Sequence, residues 1–151
     1  AVIAPLTLIM TLATCVIVIA RYVFQTGLVP LQEIVIYMHG IVFLLGAGYT
    51  LKEKGHVRVD ILYQRFSSRT RALVDLGGHL FFLTPVCAFI FFSSLDYVSL
   101  SFSMREGSAE PGGLPGVYLL KSLIPAMAAL LFLQGISEAL KNLLTLMNHD
   151  G

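Results

Sequence analysis

The sequence predicts an all-α integral membrane protein: four transmembrane helices, an additional short in-plane amphipathic helix, and N and C termini in the cytoplasm. Three observations predict it. The 151 residues are 56% hydrophobic and 13% charged, whereas a typical soluble domain carries about 25% charge. The charges are also gathered, so that residues 1–20, 34–51, 76–95 and 122–137 hold no Asp, Glu, Lys or Arg. Finally, one connection carries most of the basic residues: Lys52, Lys54, Arg58, Arg65, Arg69 and Arg71, against Arg21, Arg105 and Lys121 in or beside the other two connections. Short basic loops stay on the cytoplasmic side, which places that connection, and with four crossings both termini, in the cytoplasm.

Each element follows from local chemistry. A membrane helix needs about 20 mostly apolar residues, and the first run supplies them over about residues 2–24. A secretory signal would want a basic start and a small-residue cleavage site. The stretch "ATCVIVIARYVF" has neither, so the first run reads as a spanning helix. The second helix is expected over about 30–54. Pro30 suits the first helical position, Glu33 the positive end of the dipole, Lys52 and Lys54 the negative end, and Gly55 the position after the last turn.

After Gly55 the run "HVRVDILYQRF" alternates Val57, Val59, Ile61, Leu62 and Phe66 with polar residues. An open strand in lipid leaves backbone groups unpaired, so residues 57–67 read as an in-plane amphipathic helix. The third helix is expected over about 71–104, roughly 50 Å at about 1.5 Å per residue. That is far longer than a hydrocarbon core of about 30 Å, so the helix must tilt, kink at Pro85 or protrude into the periplasm. "REGSAEPGGLPG" is a turn region, and a fourth helix runs over about 117–147, with Lys121 and Lys141 snorkelling at its ends. No repeat or soluble domain interrupts this, so residues 1–151 read as one membrane domain.

Several functions are excluded at this level. No basic stripe interleaved with aromatics suggests nucleic acid. No Ser–His–Asp set, phosphate-cradling loop, CxxC or metal-spaced cluster appears. Ionisable groups deep in a bilayer mark functional sites by default, and Glu33, Asp75, Asp96 and Glu138 read instead as helix-end residues. His39 and His79 are the one alternative constellation, as axial ligands of a b-type haem, although their expected depths differ by several ångströms; a small self-assembling transporter is a further alternative. Interhelical contact is the simpler role for both histidines and for Gln134. Gly40, Gly46, Gly48, Gly77, Gly78 and Gly135 let helices approach closely, within the chain or against a partner.

From Arg21 to Leu62, "RYVF…LVPLQEIVIYMHGIVFLLGAGYTLKEKGHVRVDIL" resembles the small membrane subunit, DctQ type, of tripartite ATP-independent periplasmic (TRAP) transporters. The shared features are an Arg-aromatic close to the first helix, a Pro-x-x-Glu entry to the second, and Gly55-His56-Val57-Arg58-Val59-Asp60 after it. The later "GSAEPGGLPGVYLLKSLIPAMAALLFLQG" is similar to one branch of the family. Where the family usually has Trp and an acidic pair, this chain has Leu31, Gln32 and only Glu33.

The resemblance implies a non-catalytic scaffold in the bacterial inner membrane, bound as a heterodimer to a large elevator-type permease subunit. A periplasmic substrate-binding protein delivers an organic acid, and membrane lipids surround the assembly. Sodium is expected in the large subunit and no cofactor in this chain. Arg58 and Asp60 are expected to hold the basic turn beside Gly55 and His56, and Arg21 to approach Glu33.

Overall fold

The computed structural model describes residues 3–53, 63 and 65–148. It is 83% helix, with no strand among the described residues. Four helices are long and apolar enough to cross a membrane: α1 (Ile3–Tyr22), α2 (Val29–Lys52), α3 (Ser68–Ser103) and α4 (Val117–Asn148). Pro30 sits in the first turn of α2 as anticipated. The start of α3 moves three residues earlier than expected because Ser67 caps it, its side chain accepting from the Thr70 N–H. Of the in-plane segment expected over 57–67, residues 57–62 and 64 lie outside the described residues.

Two of the helices are not uniform. Residues Ile41–Leu45 of α2 and His79–Leu83 of α3 each form one π-helical turn. In α3 the Thr84 N–H reaches back to the His79 carbonyl, five residues away. The next residue, Pro85, has no N–H to give, so the wider turn absorbs the break that proline imposes on an α-helical ladder. The irregularity expected at Pro85 is therefore a π turn just ahead of it. Pro125 lies inside α4 as well.

The chain forms two compact units: Ala1–Gly46 with Ser94–Ile124, and Ala47–Ser93 with Pro125–Gly151. In the first, α1 packs along the start of α2. Thr11 and Thr14 of α1 donate to the Thr7 and Met10 carbonyls at 2.9 and 2.8 Å. That leaves their exposed hydroxyls satisfied without water, as lipid requires. In the second unit, an apolar groove of about 340 Å³ is lined by Cys87, Ala88, Phe91, Ala128, Ala129 and Phe132.

The interior is thin. Among the described residues only Ala72, Cys87 and Ala128 form a fully buried apolar core, while side chains as large as Phe43, Phe81, Phe82 and Phe89 are about 70% exposed. A soluble protein keeps contiguous exposed apolar surface to a few hundred Å². Here the apolar surface is the solvent-facing surface, which suits a bilayer.

Candidate functional site: a polar latch at the head of α2

Glu33 lies one turn into α2. One carboxylate oxygen accepts from the Ser108 hydroxyl, and the other accepts the Leu114 backbone N–H at 2.5 Å. One side chain thereby fastens the long connection between α3 and α4 to the head of α2. The connection is shaped to be held. Ser108 N–H donates to the Leu114 carbonyl and Gly113 N–H to the Glu110 carbonyl, both at 3.0 Å. Gly112 has φ +77°, a region open chiefly to glycine. A Cβ on Gly113 would lie 2.5 Å from Ser108 and 2.6 Å from Glu33 Oε1, so no larger residue fits under the latch.

A second tie lies in the same unit. Lys121 Nζ donates to Glu106 Oε2 at 2.5 Å, and the Ser101 hydroxyl donates to the same oxygen at 2.6 Å. The Lys121 ammonium also sits 4.1 Å from the Tyr97 ring centroid, and Phe102 meets Tyr118 edge-on at 4.9 Å. The hydrogen bond from Lys121, aided by that from Ser101, holds the Glu106 carboxyl below its ordinary range. Tyr37, one turn beyond Glu33, has its hydroxyl shut against Gly116, with no hydrogen-bond partner among the described residues. Such an orphan costs about 1–3 kcal/mol.

Arg21 does not join this cluster. It stands exposed in the last turn of α1, and the oxygens of Glu33 are occupied by Ser108 and Leu114 instead. A carboxylate takes two well-aligned neutral donors readily, and the folded connection delivers them. Gly55, His56, Arg58 and Asp60 lie outside the described residues. Beyond them, Tyr63 is tied to α3: its hydroxyl donates to Asp75 Oδ2 at 2.7 Å, and Arg71 Nε donates to its carbonyl at 3.1 Å. The Arg71 guanidinium also lies 5.5 Å from the Tyr63 ring centroid.

The remaining polar candidates resolve one by one. His39 stacks on Phe43 of its own helix at 6.1 Å. His79 Nδ1 bonds the Asp75 carbonyl at 2.6 Å, and its buried Nε2 has no partner among the described residues. A carbonyl can only accept, so Nδ1 is the donor in this bond.

Glu138 is not the helix-end residue expected: α4 continues to Asn148, and Glu138 is only 7% exposed. It is held there by Gln134 Nε2 at 3.1 Å and Lys141 Nζ at 2.7 Å, in keeping with the rule that buried charges are paired. Among the glycines, Gly40 packs under Leu120 and Leu123, Gly48 against Leu130, and Gly135 against Leu83 and His79, while Gly77 and Gly78 face open space.

The sequence, then, folds into four helices that can span a bilayer. Their polar groups close on one another rather than around a reacting centre, and no cluster of three or more metal-ligating side chains occurs among the described residues. This defines a multi-pass membrane component. Residues 10–145 match the DctQ component of tripartite ATP-independent periplasmic transporters, and the chain belongs to that family. No individual curated protein matches it.

Proposed function

We propose that this chain is the non-catalytic small permease subunit of a TRAP transporter, a stationary scaffold for a large elevator-type subunit. In this reading the large subunit carries the substrate and sodium sites, and a periplasmic binding protein delivers an organic acid. The chain itself holds no cofactor and sits in the inner membrane with both termini in the cytoplasm. The family match over residues 10–145 carries the assignment to a TRAP small subunit.

Two features support the scaffold role. Of the carboxylates within the spanning helices, Glu33, Asp75 and Glu138 are engaged by this chain's own donors rather than open to a coupling ion. The latch at Glu33 and the tie at Lys121 make the first unit a fixed head. A static support needs rigidity and apolar area, and it needs no ionic foothold for cargo.

Reconstitution tests this. Vesicles holding the chain together with its large subunit, supplied with the binding protein and a sodium gradient, are expected to accumulate the acid. Vesicles holding this chain alone are expected to take up none. Sodium-driven uptake by the isolated chain overturns the proposal. A strong Soret band in the purified chain would point to the haem alternative through His39 and His79 instead.

A further inference from the structure

Where the helices are regular, their inward positions recur every seven residues. In α3 of the first unit, Ser94 and Ser101 are 8% and 2% exposed, and in α4 of the second, buried Ala128 is followed by buried Gly135. Both stretches are α-helical throughout. Seven residues fall only about 20° short of two full turns, so each pair lies on one side of its helix.

Two steps are longer by one residue, and each holds a π turn. In the second unit α3 points inward at Ala72, at His79, whose Nε2 is buried, and at Cys87. The step from Ala72 to His79 is seven and that from His79 to Cys87 is eight, and the longer step contains the turn His79–Leu83. In α2, Gly40 meets Leu120 and Leu123 in the first unit and Gly48 meets Leu130 in the second, all three leucines belonging to α4. Those glycines are eight apart, with the turn Ile41–Leu45 between them. In an unbroken α-helix, eight residues at about 100° each swing a side chain about 80° away from the starting direction. A turn closed from i to i+5 holds one residue more than an α turn, which returns the step to the equivalent of seven. Proline does not account for both turns. α4 carries Pro125 inside, keeps its step of seven and is α-helical throughout. α2 has a π turn, and its single proline, Pro30, lies in the first turn of the helix.

We infer that each π turn takes up one surplus residue in a seven-residue repeat of inward positions, and so keeps α2 and α3 facing their neighbours on either side of it. The surplus is not packed: Phe43 of the first turn and Phe81 and Phe82 of the second are 69, 73 and 74% exposed. This goes beyond the proposed transporter role and does not depend on it.

Single-residue deletions in the full chain, purified in detergent, test the inference. Deleting Phe43 removes the surplus from α2 and is expected to leave the thermal midpoint within roughly 4 °C of wild type. Deleting Leu133, which is 63% exposed but stands between Ala128 and Gly135, is expected to lower it by more than roughly 10 °C. A Phe43 deletion as damaging as that of Leu133, or a Leu133 deletion as stable as wild type, overturns the inference. The facing of α2 is read separately. A Cβ on Gly48 would lie 3.6 Å from the Leu130 Cβ, within the range a disulfide spans. In a chain also carrying Cys15→Ser and Cys87→Ala, the pair Gly48→Cys, Leu130→Cys is expected to form an intrachain disulfide on oxidation, with Phe43 present or deleted. A bond lost only on deletion means that α2 has turned away from α4. A bond absent from both means that Gly48 does not face α4, and either result overturns the inference.

Discussion

The two compact units of the chain hold themselves together with different weight on polar and close-packed contacts. In the first, polar side chains bind a distant connection: Glu33 grips Ser108 and Leu114, and Lys121 grips Glu106. In the second, the polar ties are nearer in sequence, Tyr63 to Asp75 and Gln134 and Lys141 to Glu138, and small residues set the approach of Gly48 to Leu130 and of Gly135 to Leu83 and His79. The difference follows the solvent each segment meets. Where the connection between α3 and α4 leaves the apolar run, its backbone needs donors and acceptors, and a carboxylate supplies two acceptor oxygens at once. Where helices pass through lipid, burying apolar area gives little advantage, and close approach through small residues makes the contact.

The first unit should therefore be most sensitive to changes at the Glu33 latch, and the second to a group added at its glycine contacts. The largest effect is expected from Glu33→Ala, which strands a hydroxyl and a backbone N–H: about 3 kcal/mol, a thermal midpoint roughly 6–12 °C lower in detergent. Retention of the wild-type midpoint would mean that the latch is ornamental. Next comes Gly113→Ala, whose new methyl meets Ser108 and Glu33 together, at about 1–3 kcal/mol by the same measurement.

In the second unit the clash from Gly135→Ala falls on the far end of Leu83, which can swing aside, so a loss of about 1 kcal/mol is expected. Gly77→Ala and Gly78→Ala meet nothing within 4 Å. In the isolated chain they are expected to gain about 0.5–1 kcal/mol of helix stability each. A loss seen only in the complex with the large subunit would show that a partner helix lies against those glycines.

The smallest effect concerns pH, and it sharpens the contrast because it touches only the first unit. Glu106 is held below the ordinary value of 4.5, chiefly by the hydrogen bond from Lys121. A carboxylate depressed in the folded state stabilises it above the unfolded value and ceases to do so as pH falls through the folded one. Wild type should thus exceed Glu106→Gln in midpoint at neutral pH, with the gap closing only below 4.5. A gap unchanged in acid would detach Glu106 from the tie.

What the sequence disclosed follows the same division. The four spans were legible because a charge-free run near 20 residues long has few other uses. Pro30 was legible because its position in a helix is nearly unique. The contact of Glu33 with residues 75 and 81 positions away was not legible, since no local pattern encodes which distant donors a folded turn will present. Ser67 could have been found, because Ser just ahead of a helical run is a favoured N-cap residue. The π turns could not, as they come from how the backbone relaxes around Pro85 and neighbouring packing. Glu138 was misplaced because a carboxylate after a charge-free run looks like a boundary, although Gln134 and Lys141, four residues before and three after it on the same helix, were a readable sign of the pairing that holds it inside.

The latch has a consequence for biogenesis. Glu33 emerges from the ribosome long before Ser108 and Leu114 exist, so the hairpin of α1 and α2 enters the membrane with that carboxylate ungripped. Closure waits until α3 has been threaded and the turn after it has folded. A chain truncated between α3 and Leu114 would carry every residue of its first hairpin and still leave the Glu33 carboxylate without the two donors that close on it.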